Sequence, residues 1–225
     1  MSSLGQWLRP SRSVPQVSWA AGESNWKAKP KTIVMLMLGL WLFGTGEAAL
    51  IAANIGVSPW TVLAQGISLK LGLTIGWATF LISTVVLVLW IPLKSRPGLG
   101  TVSNIVVIAV AIEVMTAVFP EPKTRLLAVI QVLVGVGIVG LGSGFYITSN
   151  LGPGPRDGLM TGIHRVTGIR IGRARLAIES SVLIIGWLLG GTVGIGTIVF
   201  GLCIGQAVAL SFGVVARLDK SLGNF

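Results

Sequence analysis

The chain is poor in charge. Only 11% of its 225 residues are Asp, Glu, Lys or Arg, against roughly 25% in an ordinary soluble domain. With 52% hydrophobic residues and a mean hydropathy of +0.85, it carries more apolar surface than a water-soluble fold of this size can hide. A single cysteine, Cys203, excludes a disulfide and a CxxC metal site. The single histidine, His164, sits in a basic segment and reads as exposed rather than as a metal ligand. A Ser-His-Asp order, a Walker loop, an HExxH motif and paired catalytic carboxylates are all missing. An enzyme is not expected, and neither is a cofactor or a metal.

What is abundant is apolar length and glycine, 31 residues of it. Six runs read as membrane spans: 32–53, 77–93, 101–119, 126–149, 174–191 and 197–216. Several lie near the lower limit of about 17 residues for a transmembrane helix. Gly140/Gly144, Gly186/Gly190 and Gly201/Gly205 have the small-xxx-small spacing that lets helices approach closely in lipid. Residues 1–31 differ in being polar, basic and rich in proline, with Trp7, Trp19 and Trp26. They read as a cytoplasmic tail, largely disordered, rather than a cleavable signal, because the apolar run that follows is too long for one.

The chain matches itself at an offset of 96 residues without a gap. Gly39, Gly44, Gly46, Asn54, Gly56, Pro59, Gly66, Gly72, Gly76, Gly98, Gly100 and Thr101 fall on Gly135, Gly140, Gly142, Asn150, Gly152, Pro155, Gly162, Gly168, Gly172, Gly194, Gly196 and Thr197. This is a tandem duplication, with repeat 1 at 32–119, a linker at 120–125, repeat 2 at 126–216 and a short tail at 217–225. Duplicated units are the common building plan of membrane transporters, whose solute site lies where the halves meet.

Charge placement supplies a topology. With six spans and the amino terminus inside, the inner segments hold 14 of the 17 Lys and Arg residues, and only Lys70, Lys123 and Arg125 lie outside. The positive-inside rule then puts both termini in the cytoplasm of a bacterial inner-membrane protein. Because the basic residues are spread over one membrane face, the net charge of +10 implies no nucleic-acid partner. Three spans per unit is odd, so the second unit enters from the opposite face. The fold class expected is all-α: six transmembrane helices in two inverted three-helix repeats, each with a short broken or re-entrant helix.

Each repeat carries the same interruption, Asn-x-Gly-x-x-Pro, at Asn54–Pro59 and Asn150–Pro155. Glycine permits the turn and proline suits a first helical position, with Ser58 and Gly154 as N-caps and Gly72 and Gly168 as stops. The short helices at 58–71 and 154–167 are either interfacial or re-entrant. In the second case their amino termini offer free amides to an anion. A second shared element, Gly98-Leu99-Gly100-Thr101 and Gly194-Ile195-Gly196-Thr197, reads as a flexible turn with threonine as N-cap.

The blocks ANIGVSPWTVL, SNLGPGPRDGLMTGI and WLLGGTVGIGT resemble the YczE-type bacterial membrane proteins, relatives of the YitT/YyaS group. The likeness covers about residues 32–216 and is most specific in the Gly-Pro-Gly-Pro-Arg-Asp-Gly block. It implies a multi-span membrane architecture and leaves the activity open. Where that family often has an acid after Pro-Trp, this chain has Thr61.

Repeated residues shape the scaffold, so unrepeated polar residues are the better functional candidates. Arg156 and Asp157 stand where the first repeat has Trp60 and Thr61. Arg156 suits a carboxylate or phosphate, with Asp157 pairing with it or starting the helix. Glu47, Glu113 and Glu179 lie within apolar spans and lack acidic counterparts. Glu179 follows Arg175 by four residues and pairs with it, Glu113 sits towards an interface, and Glu47 is placed to line a cavity. Asn54 and Asn150 suit freed backbone groups at the breaks. The expected solute-binding set is Asn54, Pro59, Asn150, Pro155, Arg156 and Asp157, with Glu47 for proton or ion coupling.

The function expected is a small secondary transporter or channel-like carrier for a small polar, anionic solute. The alternative is a membrane scaffold that stabilises a partner complex. The lipid bilayer, the solute and a second copy of the chain are the expected partners.

Overall fold

The computed structural model describes residues 13–22 and 24–222, so Trp7 lies outside the described residues. These form eight helices in chain order: α1 (Pro30–Ala53), α2 (Pro59–Leu71), α3 (Ile75–Val88), α4 (Leu99–Thr116), α5 (Arg125–Thr148), α6 (Pro155–Thr167), α7 (Ile171–Leu188) and α8 (Ile195–Leu222). No strand occurs among the described residues.

Four of these, α1, α4, α5 and α8, are long and apolar enough to cross a membrane on their own, and α2 with α3, bent by 112°, makes a fifth if counted as one span. The expected span at 77–93 is realised as the 14-residue α3 followed by a turn. Its continuation is diverted because Trp90 turns inward, 2% exposed, and donates its indole N–H to the Pro155 carbonyl at 3.0 Å. In place of 174–191 stands α7, which carries Arg173, Arg175 and Glu179 in its first half. At the chain's end α8 runs on through residues 217–222, which are helix rather than tail.

The central contact is between α1 and α5, made by glycines in register. A Cβ at Gly39 would meet the backbone of Gly142 and Tyr146, and one at Gly46 would meet the backbone of Gly135 and Val139. Rising numbers on α1 meet falling numbers on α5, so the two run antiparallel. Adding 96 to Gly39 and Gly46 gives Gly135 and Gly142, so the first contact is the second with the halves exchanged. The same exchange relates Gly44 against Ala111 to Gly140 against Ala207. Around this contact the apolar core gathers Leu36, Leu40, Leu50, Ile108, Val132 and Val136. Small residues at such contacts matter because lipid offers no hydrophobic drive between helices and leaves close packing to hold them.

Breaks and caps fall where the sequence places them. Asn54 and Asn150 end their helices in the left-handed region (both φ 52°), followed by Gly56 (φ 112°) and Gly152 (φ 104°), a conformation glycine enters at little cost. Left-handed Gly72 and Gly168 stop α2 and α6. Each break docks on the other half: the Gly100 amide donates to Leu151 O and the Gly196 amide to Ile55 O, both at 2.8 Å.

The threonines of the second shared element are not N-caps. Gly98 and Gly194 precede the helices, and the threonine hydroxyls accept from their amides at 3.1 and 3.3 Å. Thr101 also donates to Pro153 O at 2.8 Å, and among the described residues Thr197 makes no equivalent bond. Thr101→Val is therefore expected to cost about 1 kcal/mol more than Thr197→Val, read as the difference between their unfolding midpoints in detergent.

The polar amino-terminal segment is not disordered where described. Trp19 is 1% exposed and packs with Val17 on Phe145 and Val215. Ser18 bonds Asp219 through its amide and its hydroxyl, Ala21 N–H donates to Ser149 O, and Leu99 N–H donates to Asn25 O. Apolar burial of one tryptophan and backbone pairing fix a segment whose composition alone suggests a free tail. Trp26, by contrast, is exposed.

Candidate functional site

The amino termini of α2 and α6 come together at one cavity. Trp60 and Arg156, counterparts in the two repeats, touch each other there, the guanidinium 5.0 Å from the indole centroid. A cation over a tryptophan face is attracted by the ring quadrupole. No carboxylate among the described residues lies within salt-bridge distance of Arg156. The expected pairing with Asp157 is not made, because Tyr146 on α5 donates to Asp157 Oδ2 at 2.6 Å and takes that carboxylate.

On the opposite side α1 brings Glu47, 1% exposed, to the start of α2. Its Oε2 accepts from the Ser58 hydroxyl at 2.9 Å and the Thr61 hydroxyl at 2.8 Å, while Oε1 is buried without a partner. Ser58 occupies the N-cap position of α2, but its side chain makes no cap bond and serves Glu47 instead. The two halves thus solve one problem with reversed chemistry. In the first, a carboxylate on the long helix holds a hydroxyl on the third residue of the short helix. In the second, a hydroxyl on the long helix holds a carboxylate on that third residue.

Neither short helix is capped by a side chain, and among the described residues no hydrogen bond uses the amides of Trp60, Thr61, Arg156 and Asp157. Two sets of first-turn N–H groups lie here with the positive ends of two helix dipoles. They border a cavity of about 190 Å³ lined by Glu47, Pro59, Trp60, Tyr146, Pro155, Arg156 and Asp157, with Arg175 and Glu179 of α7 and Phe200, Ile204 and Val208 of α8 on the far wall. That volume is small; an apolar cavity of about 150 Å³ accommodates benzene.

Of the seven residues singled out in the sequence, Glu47, Pro59, Pro155, Arg156 and Asp157 come together in this cavity. Asn150 lines an adjoining cavity behind the Tyr146–Asp157 bond and donates its side-chain amide to Ala21 O at 3.2 Å. Asn54 is exposed at the end of α1, lines neither cavity and has no side-chain bond among the described residues, so the break there is held by backbone conformation and the Gly196–Ile55 backbone bond. Glu113 is exposed, and Glu179 pairs with Arg175 at 2.9 Å as expected. Ser58, Trp60, Thr61 and Tyr146 join the five at the cavity without being in the solute-binding or coupling set expected from the sequence. Tyr146 is the chain's one tyrosine and stands where the first repeat has Leu50, so the preference for unrepeated polar residues applies to it equally.

Helices throughout, four or five apolar spans and a polar cavity between them define a multi-pass integral membrane protein. The chain belongs to a family of unknown function, DUF6198, which matches residues 30–212. It is 42% identical to an uncharacterized protein of Haemophilus influenzae over 92% of this chain and 94% of that one. It is 30% identical to the uncharacterized membrane protein YczE of Bacillus subtilis over 80% and 81%, and 26% identical to the uncharacterized protein YyaS of the same organism over 75% and 85%. The resemblance to the YczE type is thereby borne out. No solved structure matches the chain.

Proposed function

We propose that this protein is a small secondary carrier for a small anionic solute in a bacterial inner membrane. Its two repeats form six membrane segments of inverted topology, with both termini cytoplasmic. Antiparallel packing of α1 on α5, with contacts that interchange at the 96-residue offset, supports an exchange axis lying in the membrane plane. The basic residues on one face support the orientation. The observation that carries the solute class is Arg156: a guanidinium with no ion pair within 4.0 Å among the described residues, held in the field of Glu47, Asp157 and Glu179 where two uncapped helix termini meet. An arginine fork and converging first-turn amides suit a carboxylate or phosphate group.

Glu47 is the coupling group. Its buried Oε1 has no partner among the described residues, and a proton there removes a charge that is costly to bury. Glu47→Gln keeps the bonds from Ser58 and Thr61 but cannot exchange that proton. It should abolish uptake driven by a proton gradient in vesicles while solute binding in detergent persists. Uptake unchanged in this variant would remove Glu47 from the coupling role.

The direct test of the carrier is a thermal-stability screen of the purified protein against small carboxylates, phosphate and other anions. A ligand at about 100 times its dissociation constant adds about 2.7 kcal/mol of apparent stability. A saturable shift is the expected result. No shift across the panel would overturn the carrier and favour a scaffold without a solute of its own.

A further inference from the structure

The two repeats differ in how their helices pack: α7 lies more extensively on α2 than its counterpart α3 does on α6, and α3 lies on α4 where α7 does not lie on α8. In the first, α3 lies on α4, and a Cβ at Gly76 would meet the Ala109 carbonyl and the Glu113 side chain. The equivalent helices α7 and α8 do not pack together in this way. Gly172, the counterpart of Gly76, has nothing within 4 Å, and neither have Gly201 and Gly205, the counterparts of Ile105 and Ala109. The imbalance shows in burial: 39% of the apolar window of α4 is buried, against 17% of that of α8. Between α7 and α8 lies the wall of the cavity, carrying Arg175, Glu179, Phe200 and Ile204.

We infer that the gap between α7 and α8 is a gate, which closes when α7 docks on the Gly201/Gly205 face of α8 as α3 is docked on α4. The inference takes the carrier reading as its frame, since two repeats that exchange conformations present one fixed site to each membrane face in turn. It accounts for glycines on a helix face that touches nothing, where they otherwise only weaken the helix. In the closed state Gly172 sits at Gly205 as Gly76 sits at Ala109. Arg175 and Glu179 take the places of Thr79 and Ser83, both buried on α3. Bonded to each other at 2.9 Å, they enter as a neutral pair rather than as two separate charges. Opening on the other side is the reciprocal event, with α3 leaving α4.

Distance measurement between spin labels tests this in the full chain. In a Cys203→Ser background, one pair of labels goes at Leu176→Cys and Gln206→Cys and the mirror pair at Phe80→Cys and Val110→Cys. The protein is reconstituted in vesicles of phosphatidylethanolamine and phosphatidylglycerol, over a range of pH, with and without inorganic phosphate. The 176/206 pair should show a second, shorter population overlapping the 80/110 distance, and the 80/110 pair a second, longer one. A single long 176/206 distance under all conditions would overturn the gate.

Gly205→Leu fits the open state described here, where nothing lies within 4 Å of a Cβ. It should keep or raise the unfolding midpoint, since leucine favours a helix over glycine, and erase the short population; persistence of that population would also overturn the gate. So would a short distance between copies labelled singly at Leu202→Cys, which would make this face a dimer contact. A solute-induced stability shift without the short population leaves the carrier and removes the gate. The short population without any solute shift does the reverse.

Discussion

Gly142→Leu should leave no folded protein to isolate. A Cβ at this position would lie 2.5 Å from the Gly39 carbonyl oxygen and 2.5 Å from the Phe43 amide nitrogen, both backbone atoms of α1. A side chain can rotate away from an intruder; a helix backbone cannot. The usual cost of overpacking, about 1–3 kcal/mol, assumes neighbours that adjust. Here the only adjustment is separation of α1 from α5, which undoes the contact around which both repeats are arranged. A total stability of about 5–15 kcal/mol does not survive that. Gly137→Leu is the control. It lies five residues earlier on the same helix, exposed, with nothing within 4 Å, and gains about 1 kcal/mol of helix propensity. Size-exclusion profiles of detergent extracts read both variants. A symmetric peak from Gly142→Leu equal to that from Gly137→Leu would show that α1 and α5 are not held as described.

The second large effect falls on binding. Arg156→Gln should weaken the anion identified in the stability screen by about 30-fold or more, the equivalent of at least 2 kcal/mol for truncating one member of a desolvated charge pair. The fold should persist, because what is lost inside the protein is a stacking contact on Trp60, worth about 0.5–1 kcal/mol at a partly exposed site, and the attraction of Glu47 and Asp157 at a distance, with no ion pair within 4.0 Å among the described residues. Arg156→Lys separates charge from shape: it keeps the cation but loses the planar fork and the flat contact with the indole. Its affinity should fall between those of the parent and the glutamine variant. Titrations followed by unfolding midpoint give all three constants. Equal affinities across the series would place the anion elsewhere.

The duplication, both chain breaks and their caps were legible because they are written in glycine, proline and asparagine, whose backbone preferences act locally. Clustering of Glu47, Pro59, Pro155, Arg156 and Asp157 was foreshadowed by their positions at matching breaks. What escaped depends on partners distant in sequence. Asp157 is next to Arg156 in the chain, yet Tyr146 takes it because α5 delivers a hydroxyl from eleven residues away. The shortness of α3 follows from Trp90 finding the Pro155 carbonyl, 65 residues on. Residues 13–29 are polar enough to read as a free tail, and one buried tryptophan with a few backbone bonds overrules that composition. Asn54 shows the opposite limit, since sharing a motif with Asn150 did not give it a share in the cavity.

The crossed docking of the two breaks bears on how the chain is made. Ile55 offers its carbonyl to Gly196, and the glycine face of α1 waits for α5. When the first half has left the ribosome, both of these surfaces are still without their partners. The nascent chain must pass through a stage in which an inserted but unfinished half stands in the lipid with its most closely packed face bare. Synthesis that halts there yields a fragment for the membrane proteases to clear, and separately expressed halves have to find each other in the bilayer before either is stable.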